Sequence, residues 1–356
     1  MKVALIYVLF ASLLSASLAA ETNHWAVIVA GSRGWYNYRH QADTLHAYQI
    51  VKGNGIPDDH IILMNYDDIA NATQNKFKGK MFNAPTKAGV EGTDVYGGAR
   101  IDYTGKEVSH TNLIKVFLGD ESAGGPVLKS DENSKIFFFF DDHGAPGYVA
   151  MPHSELTALQ LVETVTQMKA KKMFKEMVMY IETCESGSMF SPYDQNYTDL
   201  NVYALSAANP HESSWGTYCR PNDTVDGKEL GTCLGDLFSV SWMEDTVASG
   251  SAGKSLHDQF LHVQKLTTRS HVMEWGDKTI SSQNILNFQS NKDMPATSTL
   301  SADLVADDDS ALADDRNTFG VDTRDAYLQY LYAEIQRNPS SQEAKDLLHQ
   351  ELAARK

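Results

Sequence analysis

Cysteine is scarce in this sequence, with three in 356 residues: Cys184, Cys219 and Cys233. No two form a Cys-x-x-Cys pair, and no His-Glu-x-x-His run occurs, so no metal is expected. No phosphate-binding glycine loop is present either, so no cofactor is expected. Gly31-Ser32-Arg33-Gly34 reads as the turn that ends a strand. Basic charge is also in short supply. The net charge is −16, with no cationic stripe to neutralise phosphates, so a nucleic-acid partner is not expected. Past the N-terminus there is no apolar run of the length a membrane span needs, and no membrane partner is expected. No internal repeat is visible.

The N-terminus has the plan of a secretory leader. Lys2 is the basic start, Val3 to Leu14 is apolar but too short to span a bilayer, and Ser17-Leu18-Ala19-Ala20 offers small residues for cleavage. The mature chain is expected to begin near Glu21. Asn71-Ala72-Thr73, Asn196-Tyr197-Thr198 and Asn222-Asp223-Thr224 are glycosylation sequons that fit this route. In an oxidising compartment two thiols pair. Cys219 and Cys233 flank a turn-rich segment that a disulfide would staple, worth about 3 kcal/mol in the chain-entropy model. Cys184 is then the odd thiol, and the polar run around it, Glu182-Thr183-Cys184-Glu185-Ser186-Gly187-Ser188, makes a poor core segment.

Two apolar stretches stand out. Ile136 to Phe140 ends in Asp141-Asp142-His143-Gly144, and Met177 to Ile181 ends in Glu182-Thr183-Cys184. Both read as strands buried on both faces. As parallel neighbours they would bring a thiol and an imidazole to one sheet edge, where open α/β sheets bind ligands. Further strands are expected at 24–30, 61–66 and 201–207. Helices are expected at 40–52, 112–118, 154–171 with Ser154 as N-cap, 234–245 and 255–268. Residues 70–108 read as loops. Alternating strands and helices predict an α/β three-layer sandwich around a mostly parallel sheet.

Composition changes near residue 290. Between Asp303 and Asp325 there are eight Asp against two Arg, as in a linker. Two amphipathic helices follow, one carrying Tyr327, Leu328, Leu331 and Ile335, the other Leu347, Leu348 and Leu352, with Ser340 and Glu343 as its capping box. The expected organisation is a signal peptide over 1–20, a main α/β domain over 21–288, an acidic linker over 289–318 and a short helical segment over 319–356.

A thiol becomes a good nucleophile as its thiolate, which a nearby histidine generates. The order apolar block, His-Gly, long connection, apolar block, acid-x-Cys resembles the caspase-like cysteine proteases. Within that group the chain resembles the legumains, also called asparaginyl endopeptidases or vacuolar processing enzymes. The resemblance runs over about residues 24–288. It is carried by Trp35 to Asp43, Tyr66 to Ala70, Asp102 to Gly105, Asp142 to Gly144, Glu182 to Ser188, Ala207 to Pro210 and Cys233 to Asp236, and Ser214 to Cys219 is similar to the plant-type members. It implies a caspase-like fold, with Cys184 as nucleophile, His143 as general acid/base and Asn37 orienting the histidine. Gly144 would offer its N–H to the oxyanion.

The resemblance also places the S1 pocket at Arg39, His40, Glu182, Ser213, Ser214 and Asp236. An asparagine side chain has one acceptor and one NH2 donor. Arg39 on one side, with Glu182 and Asp236 on the other, would answer both. Aspartate would enter only when protonated. Asp142 matches a residue that in this family cyclises to a succinimide and is tied to ligation. Polypeptide substrates, the chain's own C-terminal prosegment and cystatin-type inhibitors are the partners implied, in a lysosome or vacuole or outside the cell.

Two other readings share the His-Gly and acid-x-Cys pattern. One is a GPI-anchor transamidase-like subunit, against which the lack of a C-terminal anchor speaks. The other is a catalytically dead homologue used for binding or storage, against which the intact Cys184, His143 and Asn37 speak. In the plant-type stretch matching Asp322-Thr323-Arg324-Asp325-Ala326 an Asn stands first and is cut on activation. Here that residue is Asp322, and Asn317 is the alternative. Maturation is expected at acidic pH at one of the two. Intact-mass analysis after incubation at about pH 4–5, where carboxylates titrate, checks this, and a product cut elsewhere refutes it.

Overall fold

The computed structural model describes residues 23–86, 89–295 and 319–355. The leader, residues 296–318 of the linker and Asn317 lie outside the described residues. In chain order the elements are β1 His24–Ala30, α1 Tyr38–Gly53, β2 Ile61–Met64, α2 His110–Leu118, β3 Lys135–Asp141, β4 Gly144–Ala145, β5 Tyr148–Met151, β6 Ser154–Thr157, α3 Ala158–Ala170, β7 Glu176–Glu182, α4 Asp194–Asp199 and β8 Val202–Ser206. Then come β9 Trp215–Thr217, β10 Thr224–Val225, β11 Lys228–Glu229, β12 Gly235–Asp236, α5 Leu237–Ser249, α6 Leu256–Leu266, β13 Met273–Gly276, α7 Leu286–Gln289, β14 Val321–Asp322, α8 Ala326–Arg337 and α9 Gln342–Ala354.

Six strands form the central sheet in the order β13-β8-β7-β3-β1-β2. All neighbours are parallel except β13, which pairs antiparallel with β8. The chain leaves β1 toward β2 on one side and returns to β3 on the other. The order therefore reverses at the β1/β3 junction, where a crevice opens at the carboxyl ends of the strands.

Strand residues alternate between two apolar layers, as the two-residue period demands. Ile28, Phe137, Phe139, Val178 and Tyr180 face one layer with α1, α5 and α6. Val29, Phe138, Phe140, Met177 and Met179 face the other, with α2 and α3. The expected α/β three-layer sandwich is therefore present. Trp242 on α5 anchors the first layer, edge-on to Phe137, Phe139 and Tyr180 with ring centroids 5.2–5.6 Å away.

Two caps differ from the sequence reading. Ser154 does not start a helix. Residues 154–157 pair with Tyr148–Met151 as β6, and α3 begins at Ala158. Thr157 caps it, with Gln160 reaching back to the Thr157 N–H at 2.9 Å. The hairpin wins because its edge satisfies backbone groups after His143 that a helix would leave unpaired. Likewise Ser341, not Ser340, caps α9 by accepting from Ala344 N–H. Cys219 and Cys233 are disulfide-bonded, and Cys184 is free and buried. Asn71 and Asn196 are exposed and Asn222 is half-buried. No helix of the described residues is long and apolar enough to cross a membrane.

Replacing Trp242 removes a large ring from a layer that cannot collapse around the hole. Trp242→Ala is expected to destabilise the fold by about 3–5 kcal/mol, measured as a lowered urea midpoint with unchanged slope.

Candidate active site

β3 and β7 pair in register from Lys135↔Glu176 to Asp141↔Glu182. The alignment continues past the strands, where Asp142 N–H donates to Glu182 O at 3.1 Å. His143 and Cys184, each two residues beyond a paired position, therefore leave the sheet side by side. Gly144 shows how close they run. A Cβ there would sit 2.5 Å from the Cys184 carbonyl oxygen and 2.5 Å from Thr183 Oγ1, so only glycine fits.

Asn37, just before α1, holds the imidazole. Its Nδ2 donates to Arg33 O at 3.0 Å, which leaves Oδ1 to accept from His143 Nε2 at 2.8 Å. Nε2 thus carries the proton and Nδ1 is left as the base. Burial pushes the His143 pKa down to about 3, with Arg39 and Arg324 adding. Burial also pushes the Cys184 thiol up to about 11, opposed by Ser214 and Arg324. Ser214 Oγ lies 4.0 Å from Sγ. Both groups are neutral at ordinary pH in this arrangement.

A buried polar cluster is built around Glu182, two residues before the thiol. Arg39 is fully buried, and its Nε donates to Asp236 Oδ1 at 2.9 Å. The two are bonded partners, because a buried guanidinium needs a carboxylate. Glu182 Oε2 accepts from Ser239 N–H at 3.0 Å and from Ser239 Oγ at 3.1 Å. Burial and the Asp236 charge push Glu182 up to about 8. Burial also raises Asp236, against the pull of Arg39. Arg39 Nη2, Glu182 Oε1 and Asp236 Oδ2 have no hydrogen-bond partner.

His40 is fully buried. It is wedged between carboxylates, with Nδ1 3.3 Å from Asp142 Oδ1 and Nε2 3.6 Å from Asp236 Oδ2, and Ser32 Oγ is 2.6 Å from Nδ1. Burial, Arg39 and His143 hold its pKa well below the usual value. Asp142 is fully enclosed, and burial holds its carboxyl well above the usual range.

The C-terminal segment covers this site. β14 adds antiparallel to β9, pairing Val321 with Gly216 and Asp322 with Trp215. Thr323 N–H donates to Ser214 O at 3.1 Å, and Arg324 Nη1 donates to Ser213 Oγ at 2.7 Å. Arg324 Nη2 grips the Glu185 carboxylate. The Asp322 carboxylate accepts from its own neighbour, Arg324 N–H, at 2.9 Å. It is turned into this local bond, and Arg39 Nη2 stays unpaired. The Tyr36 ring packs, tilted, against Tyr327 and Tyr330 of α8 with centroids 4.5 and 6.2 Å away. The sequence reading missed the Arg324–Glu185 pair. Its only signal was an Arg two residues past Asp322 facing an acid next to the thiol.

This is an α/β protein with a thiol and an amide-oriented imidazole at the carboxyl edge of a parallel sheet, the equipment for acyl transfer through sulfur. Residues 24–291 match the model of the Peptidase C13 family. The chain is 47% identical to legumain of Mus musculus over 274 residues, covering 76% of this chain and 60% of that protein. It is 46% identical to legumain of Homo sapiens, with the same coverage. It is 38% identical to the vacuolar-processing enzyme delta-isozyme of Arabidopsis thaliana over 93% of this chain and 71% of that one. A caspase-1 structure from Spodoptera frugiperda matches with a TM-score of 0.44 at 9% identity, over 72% of this chain and 87% of that one, too loose to argue from. The chain belongs to the Peptidase C13 family. It spans about 60% of the length of the mammalian legumains it matches.

Two ring contacts seat α8 on Tyr36, worth roughly 1–2 kcal/mol together. Tyr327→Ala with Tyr330→Ala is expected to raise iodoacetamide alkylation of Cys184 about 5- to 30-fold, the equivalent of that energy. In the unaltered chain the rate is expected to climb about tenfold per pH unit from pH 6 to 9 without a plateau, as a high thiol pKa requires. Mass spectrometry of the alkylated peptide checks both.

Proposed function

We propose that this chain is a cysteine endopeptidase that cuts peptide bonds after asparagine, and after aspartate at acidic pH. The observation that carries the reading is the in-register exit of His143 and Cys184 from adjacent strands, with Asn37 fixing the imidazole. Cys184 Sγ attacks the scissile carbonyl while His143 Nδ1 takes the thiol proton. The same imidazole then protonates the leaving amine, and water attacks the thioester as His143 again accepts a proton. The Gly144 backbone N–H stabilises the oxyanion.

The pocket supports the side-chain preference. A carboxamide brings a carbonyl for Arg39 Nη2 and an NH2 group for Glu182 Oε1 or Asp236 Oδ2, all without partners. Ser213 and Ser214 form the rim. Apolar side chains would leave these buried groups unpaired and be rejected. The substrate backbone adds as a strand on Trp215–Thr217, the edge that Val321–Asp322 now occupies.

The chain is made as a proenzyme. Residues 319–355 sit across the site with a neutral thiol beneath, and Asp322 lies on the substrate edge without entering the pocket. The Arg324–Glu185 ion pair holds the cover in place. The names of the relatives support a lysosomal or vacuolar setting on the secretory route. Asp142 is a candidate for the succinimide chemistry linked to ligation, and cystatin-type proteins are candidate inhibitors.

The acid-treated protein is expected to cleave an Ala-Ala-Asn reporter peptide, and Cys184→Ala to lose this activity by at least about a thousandfold, the scale of a lost nucleophile. No cleavage by the unaltered chain would favour the non-proteolytic homologue.

A further inference from the structure

Behind the pocket wall lie two carboxyls that no substrate reaches, Asp43 on α1 and Asp141 at the end of β3, both fully buried. Asp43 Oδ1 accepts from Asn83 Nδ2 at 2.6 Å, and Oδ2 accepts from the Asp236 N–H at 2.7 Å. Ser239 Oγ lies 3.2 Å from Asp141 Oδ2 and 3.1 Å from Glu182 Oε2, so its single proton serves one of the two at a time. A ring nitrogen of His40 and carboxylate oxygens of Asp141 and Asp236 lie within 4.8 Å of one another. Asp141 Oδ1, Asp236 Oδ2 and Glu182 Oε1 lack any donor.

Four carboxyls thus share one guanidinium, that of Arg39. Full ionisation would leave three uncompensated negative charges in a dry site. Like charges about 4 Å apart repel by about 4 kcal/mol per pair at an effective dielectric of 20. The cluster must keep protons at neutral pH, and the orphaned oxygens are where they go. Burial and the neighbouring carboxylates hold Asp141 well above the usual range, and burial does the same for Asp43.

We propose that Asp43 and Asp141 are positioning residues that share protons with Asp236 and Glu182 and so set the pH at which the pocket accepts an anionic side chain in place of a carboxamide. This rests on the pocket assignment above and extends it. Acid acceptance of aspartate is then a property of the enzyme as well as of the substrate. As pH falls the cluster takes up a proton, Arg39 loses its compensation, and an ionised carboxylate can pair with Nη2. The charged groups facing the cluster are Arg39, His40 and, behind Asn83, His46 from α1. Asp142 and His143 face it from the end of β3, Glu182 from β7 and Asp236 from β12.

The test uses the acid-treated full chain and peptides differing only at the residue before the scissile bond. With cysteic acid there, the peptide carries a sulfonate that stays anionic throughout pH 4–7. Its inhibition of Asn-reporter cleavage is expected to strengthen about tenfold from pH 7 to 4.5, the equivalent of a one-unit pKa shift in the cluster. Unchanged inhibition while Asp cleavage rises would overturn the proposal, because the substrate carboxyl alone would then titrate. Asp141→Asn and Asp43→Asn each remove a negative neighbour, lowering the pKa of Asp236 and Glu182. The Asp-to-Asn ratio of kcat/KM is expected to rise at a pH about one unit lower than in the parent. Asn83→Ala removes a donor that favours ionised Asp43, so Asp43 keeps its proton to higher pH and the rise is expected to move in the same direction as in Asp43→Asn, by less. Coincident profiles in all variants would overturn the proposal. If the substitutions prevent folding, the cysteic acid arm decides on the parent protein. Absence of Asn cleavage by the parent would instead sink the pocket assignment itself.

Discussion

The parallel pairing of β3 with β7 is the constraint on which the site depends. Asp141 lies opposite Glu182, and every group of interest is measured from that pair. Two residues on are His143 and Cys184, and the two paired carboxyls themselves join the polar cluster. A one-residue slip would turn each strand over and exchange its two faces. Phe137 and Phe139 would then face the α2–α3 layer, and the carboxyls would swing out of the pocket. The interlocked phenylalanines hold that register, so the aromatic density of β3 serves the site as much as the core.

Charge is the second organising quantity. Arg39, His40 and Asp43 come from the first turns of one helix, yet each is buried. Removing them from water is tolerable only because they answer one another and the strand-end acids. Such a cluster contributes little net stability and a great deal of specificity. It is the reverse of the apolar layers on either side, which contribute stability and little selectivity.

Much of this was legible from residue order. Ile136–Phe140 and Met177–Ile181 announced their strands by continuous apolar content, and Cys184 and His143 followed from where those runs stop. The free thiol and the Cys219–Cys233 bond followed from three cysteines and a turn-rich segment. What stayed hidden depended on contacts far apart in the chain. Ser154 carries an honest helix-cap pattern, but the hairpin with Tyr148–Met151 overrides it. Arg39 and Asp236 are separated by nearly two hundred residues, and nothing local says that they share a wall. Asp43 had a local trace, one helical turn after Arg39 on the same buried face. Asp141 had none, since an acid ending a strand looks like ordinary solvation.

The short strand Val321–Asp322 lies on an edge built for backbone rather than for side chains. Whatever takes its place must lie flat and unfolded over several residues, because helices and tight turns have no free amides to offer there. A folded client therefore becomes a client only at loops, tails or segments that fray. Under the proposed activity its vulnerability would be graded by the free energy of that local opening, and two proteins with equal numbers of asparagines would differ in lifetime through their own rigidity alone.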